Sequence, residues 1–462
     1  MTNIRVINMN KIYGVILAAG QGTRMKSRIP KVLHKVCGKE LIYYVVDCMS
    51  KTAKMQKLVT VVGCGADAVI EYLHNFRNVD HVFQKERLGS AHALLQAKNK
   101  LKNCDGHLIV MCGDTPLVKA ETLKSLLKYH VKNKNDATVL SGNVENPFGY
   151  GRIVRNSAGN VICIVEEKSA DDKQKQIKEI NSGIYCFNLK VLWKELYKVD
   201  NKNNKKEYYL TDVISILNND GYKTDAVAIT TEEEILGIND RKQLAEAQEI
   251  LRLRKLDSLM ASGVTIVDPK TVYIENDVVI GQDSVIKPNT FIEGNTKIGE
   301  NCVIGPDTTI TGAVIKDDVF VTYSYIEDSE IENNVKIGPF THIRPKSVLK
   351  ENVKVGNFSE VKKSVVGAGS KVNHLSYIGD AQIGKNVNIG AGTITCNYDG
   401  KNKFRTVIND DVFVGSNVNL VAPVNIGKKV LIAAGSTITD DVLPNKLTIA
   451  RARQIIKVRK NK

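Results

Sequence analysis

At 462 residues, 43% of them hydrophobic, the chain is long enough for about three average units with real cores. Its 65 Lys and Arg against 50 Asp and Glu give a formal net charge of +15, but the lysines are spread along the chain without a zinc-finger, basic-zipper or aromatic RNA-binding signature; this disfavours nucleic acid, and since a basic balance equally suits small polyanionic substrates, charge alone decides nothing. No run approaches the ~18 apolar residues of a membrane span, Met1 to Asn10 lack the apolar core of an export leader, and nine scattered cysteines without a Cys-x-x-Cys pair fit a reducing cytoplasm.

The first half alternates short apolar runs (Gly14 to Ala19, Lys57 to Val62, His107 to Cys112, Ala137 to Ser141) with helical patterns, which predicts an α/β fold with a largely parallel sheet. The first run opens into a glycine-rich turn, GQGTRM, carrying Arg24, with Lys31 beyond it. Backbone N–H groups of such a turn suit phosphates. A P-loop is excluded because Gly-x-x-x-x-Gly-Lys-Ser/Thr is absent, and a dinucleotide turn because Met25 takes the third glycine position. A purely structural turn is the alternative at this point. Asp114 ends an apolar strand, where ligands of open α/β sheets gather and a carboxylate can hold Mg²⁺; a turn-forming Asp is the alternative.

Residues 241 to 262 are rich in Leu, Ala, Gln, Glu and Arg and predict one connecting helix, with Asp240 as N-cap, Gln243 at the capping-box position and Gly263 as the stop. The organisation is therefore 1–241, a linker helix at 242–262, and 263–462. In the last segment Ile274, Ile280, Ile286, Ile292, Ile298, Ile304 and Ile310 recur every six residues. The register resumes from Ile331 to Val361, shifts at Val366, and returns from Ile408 to Ile438. A period of six fits neither a helix nor an ordinary strand but the hexapeptide β-helix, in which three units make one triangular coil. Some nine coils at ~4.8 Å each predict a prism roughly 40 Å tall. The polar stretch Thr393 to Arg405 interrupts the repeat and reads as a projecting loop. Two histidines lie in this region. His374, among polar residues in SKVNHLSYIGD with Tyr377 nearby, suits a general base, a structural role being the alternative. His342 and Lys363 read as solvated surface residues.

LAAGQGTRM with Pro30-Lys31, GDTPL at Gly113 to Leu117, GYGRI ending at Ile153, EINSGIY at Glu179 to Tyr185, and the repeat tail together carry a resemblance over essentially the full length. The chain resembles the sugar-nucleotide pyrophosphorylases, and within them the bifunctional N-acetylglucosamine-1-phosphate uridyltransferase and glucosamine-1-phosphate acetyltransferase family. The resemblance implies a Rossmann-like nucleotidyltransferase followed by a left-handed parallel β-helix. It implies acetylation of glucosamine 1-phosphate by acetyl-CoA, then transfer of UMP from UTP to N-acetylglucosamine 1-phosphate, with Mg²⁺ as cofactor and a homotrimer whose acetylation sites lie between neighbouring prisms.

By the same resemblance, Leu17, Ala18, Ala19 and Gly20 wrap the nucleotide, Gln84, Gly89 and Ser90 read the uracil, and Cys112, Gly113 and Asp114 follow along the site. Cys112 stands where the relatives carry an aromatic residue, so its part is assigned to the backbone. Gly151, Glu166, Asn181 and Asn239 hold the sugar, Asp114 and Asn239 the metal, and Arg24 and Lys31 offset the repulsion between two anionic reactants. In the repeat, His374 is the proton acceptor, Arg344 and Lys362 hold the sugar phosphate, and Tyr377 and Asn388 orient the sugar. Ala391, Asn397, Tyr398, Ser416, Ala434 and Arg451 contact acetyl-CoA. ADP-glucose or dTDP-glucose pyrophosphorylases, and a non-catalytic scaffold of the same architecture, are the competing readings.

Overall fold

The computed structural model describes residues 11–203, 206–229 and 231–459. The expectation that Met1 to Asn10 form no export leader concerns residues outside them. The chain divides into two compact units, Met1–Leu251 and Arg252–Lys462.

The first unit is built on one twisted sheet ordered Thr224–Ile229, Ala137–Asn143, Glu179–Asn188, His107–Cys112, Ile12–Ala18, Lys57–Val62 and Val79–Phe83. Its pairs are parallel except those of Glu179–Asn188, which runs antiparallel to both neighbours. That strand also carries a hairpin, Arg152–Arg155 with Val161–Val165. The central strands are continuous apolar runs because helices cover both faces. Val15, Val61 and Val110 face one core cluster, while Ile16, Val62 and Ile109 face the other, as alternation along a strand requires.

The helix spans Arg241–Ala261. Asp240 caps it, its carboxylate accepting the Gln243 N–H at 2.9 Å, but the Gln243 amide oxygen takes the N–H of Asn239 instead of that of Asp240. The capping box is thus displaced by one residue, and it braces Asn239. Gly263 ends the helix at φ +96°, with the Val264 N–H bonded back to the Leu259 carbonyl. Leu244, Ala247 and Leu251 belong to a cluster with Val36, Leu41 and Ile238, whereas Leu256 and Leu259 belong to the β-helix core.

The second unit is a parallel β-helix with sheets of eleven, ten and nine strands on its three faces, taller than the nine coils counted from sequence. Each register isoleucine is buried and stacks on its equivalent, as Ile286 on Ile304 and Ile292 on Ile310. The register does not break between Ile310 and Ile331: Ile315, Val321 and Ile326 fill it, with steps of five residues in place of six at some corners. The apparent shift at Val366 is another such step. The expected loop is shorter than read. Ile394–Cys396 remains a strand of the prism, where Thr395 takes an aliphatic position, and only the segment from Asn397 leaves it, closing as a small hairpin through a Tyr398–Lys403 bridge. Among the described residues no helix is long and apolar enough to cross a membrane, and all nine cysteines are free.

Candidate active sites

In the first unit, the turn after Ile12–Ala18 is anchored by Met25, which is 1% exposed and leaves Arg24 facing solvent. Gly22 sits at φ +62°, and a Cβ there would lie 2.7 Å from the Lys31 Cβ. The missing side chain is what lets the Lys31 stem lie against the turn. Lys31 Nζ contacts Asp114 Oδ2 directly and lies 3.4 Å from Asn239 Oδ1, while Arg24 Nη2 donates to the same Asn239 oxygen at 2.8 Å. Asn239 arrives because the Ile238 N–H donates to the Asp114 carbonyl at 2.9 Å. Two cations and two oxygen donors, distant in sequence, thus meet beyond the carboxyl ends of the strands.

A cleft of about 690 Å³ beside them is lined by Leu17, Ala19, Gly20, Gln84, Gly89, Ser90 and Cys112 among others. Ala18 is not part of this lining. Its side chain is turned into the core, as alternation along the strand dictates, so only its backbone is placed for a ligand. Gln84 is 4% exposed, with Nε2 held by the Gly89 carbonyl at 3.1 Å and by His92 Nδ1 at 3.0 Å. It is a fixed element of the cleft and not a surface residue. Burial pushes the Cys112 thiol up to about 12, and the Asp114 carboxylate adds to this, so the thiol is neutral.

A second cleft of about 500 Å³ joins Arg24 and Glu166 with Phe148, Gly149 and Tyr209. Gly151 and Asn181 meet each other through the Asn181 N–H to Gly151 carbonyl bond, and the Asn181 amide is braced by the Tyr185 hydroxyl at 2.8 Å. Glu166 accepts from Thr211 at 3.1 Å. Burial, and after it the Glu166 and Asp200 carboxylates, push Asp212 up to about 6.

In the β-helix, one corner stacks the expected residues coil upon coil. The Leu375 N–H donates to the Asn357 carbonyl, the Gly392 N–H to that of His374, the Asn417 N–H to that of Ala391, and the Gly435 N–H to that of Ser416. At the top, Arg451 Nη1 donates to the Ala434 carbonyl at 2.7 Å. His374, Ala391, Ser416, Ala434 and Arg451 therefore share one edge. On the adjoining face lie Arg344, Lys362 and Tyr377, following or within the stacked strands His342–Ile343, Glu360–Lys362 and Tyr377–Gly379. Gly379 lets the Tyr377 ring lie along its strand, since a Cβ there would meet the hydroxyl at 2.5 Å. Asn388 starts a strand on the other face of that edge.

Several partners here carry no signal in the sequence reading. Glu360 pairs with Arg344 at 2.7 Å, and Asn357 holds His374 Nδ1 at 2.8 Å. Lys403, in the hairpin, has its ammonium held below the usual lysine range by Lys362 beside it, a crowding of like charge that an anion would relieve. Asn397 is 6% exposed, its amide donating to Asp380 at 2.6 Å, while Tyr398 is exposed. His342 is not simply solvated: Nε2 lies 2.9 Å from Glu327, and its ring packs edge-on to Tyr325.

A cleft beyond the strand ends of a mostly parallel sheet, followed by a hexapeptide prism with polar residues stacked on one edge, is the two-part architecture set against known proteins. The chain matches the "Nucleotidyl transferase" family model over residues 13–232, the "Bacterial transferase hexapeptide (six repeats)" model over 277–312 and 328–363, and the "Hexapeptide repeat of succinyl-transferase" model over 405–440. It is 53% identical to the bifunctional protein GlmU of Geobacillus sp. (strain WCH70) over 97% of both chains. It is 50% identical to that of Clostridioides difficile (strain 630) over 96% of both. The chain belongs to the bifunctional GlmU family. It is a uridyltransferase and a glucosamine-1-phosphate acetyltransferase of UDP-N-acetylglucosamine synthesis, using nucleotide and acetyl-CoA substrates, and the single-function and scaffold readings fall away.

Proposed function

We propose that uridylyl transfer takes place where Arg24, Lys31, Asp114 and Asn239 converge, and that acetyl transfer takes place on the edge carrying His374. The convergence of two cations on the Asp114 and Asn239 oxygens carries the first assignment. An oxygen of the sugar phosphate must approach the α-phosphorus of UTP, both being anionic, and Arg24 and Lys31 offset that repulsion and the charge that builds in the transition state. Pyrophosphate leaves. The carboxylate and amide oxygens are hard donors already facing a cation, Lys31 Nζ, which suits Mg²⁺ held by two protein groups with the remainder supplied by water and phosphate. Bound there, Mg²⁺ would neutralise phosphate charge. The lining of the larger cleft supports nucleotide binding by the Leu17 to Gly20 backbone, Gln84, Gly89 and Ser90.

On the prism edge, His374 Nε2 takes a proton from the C2 ammonium of glucosamine 1-phosphate, and the neutral amine attacks the thioester carbonyl, releasing free coenzyme A. Arg344 and Lys362 hold the phosphate, Tyr377 and Asn388 orient the sugar, and Ala391, Ser416, Ala434 and Arg451 follow the coenzyme along the edge. Acetylation precedes uridylylation, in the cytoplasm. The active form is a trimer, a reading supported by the exposed apolar ladder Phe340, Phe358 and Leu375 that leads to His374. The test supplies Mg²⁺, UTP and N-acetylglucosamine 1-phosphate and follows pyrophosphate, then supplies acetyl-CoA and glucosamine 1-phosphate and follows thiol. Loss of pyrophosphate release on chelation, restored by Mg²⁺, is expected. A monomer with full acetyltransferase activity would sink the trimer.

A further inference from the structure

We infer that Asn357 is the positioning residue for His374, fixing the ring tautomer in which Nε2 is free to accept a proton. The inference rests on the reading of His374 as the base. Asn357 Oδ1 lies 2.8 Å from His374 Nδ1. An amide oxygen only accepts, so Nδ1 must carry the hydrogen and the lone pair falls on Nε2. A free neutral imidazole prefers the opposite form, so the contact works against the intrinsic preference.

The pairing is built into the repeat. Asn357 and His374 are 17 residues apart in consecutive coils, locked by the Leu375 N–H to Asn357 carbonyl bond at 3.0 Å. The next residue, Phe358, turns the corner at φ +58°, and its ring stacks on Phe340 at 5.3 Å with the planes 7° apart, which holds the backbone that presents Asn357. An asparagine at this place has a chemical logic of its own. A carboxylate would also orient the ring but would favour the imidazolium, whereas a neutral amide orients it without holding the proton there after transfer.

The experiment uses the full-length chain labelled with ¹⁵N-histidine, together with Asn357→Leu, Asn357→Ala and Asn357→Asp. Expected for the unsubstituted protein is a His374 ring protonated at Nδ1, and for Asn357→Leu a ring protonated at Nε2. Acetyl-transfer kcat in Asn357→Leu and Asn357→Ala falls about tenfold or more with KM for both substrates nearly unchanged, and Asn357→Asp, which keeps the acceptor, recovers most of it. Should the leucine variant not fold, the alanine variant carries the same comparison. A ring protonated at Nε2 in the unsubstituted protein, or kcat within about twofold of it in both variants lacking the acceptor, overturns the proposal. His374→Ala separates the two readings. If it keeps its acetylation rate, the base assignment fails, and if it is inactive while Asn357→Ala is fully active, only the positioning role fails.

Discussion

In the Met1–Leu251 unit, Lys31 reaches Asp114 across 83 residues of chain and Arg24 reaches Asn239 across 215. In the β-helix, His374 meets Asn357 across 17 and Arg344 meets Glu360 across 16. The first site exists only once the whole sheet is assembled, because its loops are gathered from several strand ends. The second is made by neighbouring coils, each needing only the one below it. Long-range assembly gives a site whose parts are scattered but rigidly tied to one sheet, while stacking gives one whose parts are close in sequence and depend on corner register.

The largest expected effects separate the two activities. His374→Ala should lower thiol release by about 10²- to 10⁴-fold and leave pyrophosphate release intact, and Asp114→Ala should do the reverse, both measured on the same preparation. Loss of both activities in either variant would break the division of labour. Next in size are the cores. Ile378→Ala, beneath Tyr377, removes a fully buried side chain at a cost of about 2–5 kcal/mol, and should lower the temperature at which acetyl transfer is lost while that of uridylyl transfer holds. Equal falls would show that the units unfold together.

The smallest effect is one of pH. Because the folded state raises Asp212 to about 6 from 3.8, the folded protein binds the proton more tightly than the unfolded chain. Stability from this group is present below about pH 4 and declines as pH rises toward 6 and beyond, so Asp212→Asn should raise the melting temperature slightly at pH 8 and not at pH 4. A rise of equal size at both values would assign the effect to packing.

The two regions also differ in what their sequences disclose. Ile274 to Ile310 disclose the prism because each coil repeats one physical requirement, a buried aliphatic every six residues. Ile315 and Ile326 escaped because a corner can be turned in five residues, and Thr395 because its hydroxyl is satisfied inside the coil by the Gly379 N–H at 2.8 Å. In the first unit the charged motif residues were legible, yet nothing in sequence brings Ile238 to Asp114, or His92 to Gln84, since those contacts belong to the folded topology. Asn357, Glu360 and Lys403 carry no signal for a related reason: each meets its partner from another turn of the chain, and an isolated polar residue in a repeat gives no sign of what stands above it.

The shared edge of the prism also works as a ruler. Each coil adds about 4.8 Å, so a ligand lying along it is addressed in fixed steps, His374 at one mark and Ala434 three marks on. A change within a coil would alter a single mark, whereas the gain or loss of a whole coil would move every later mark by one step.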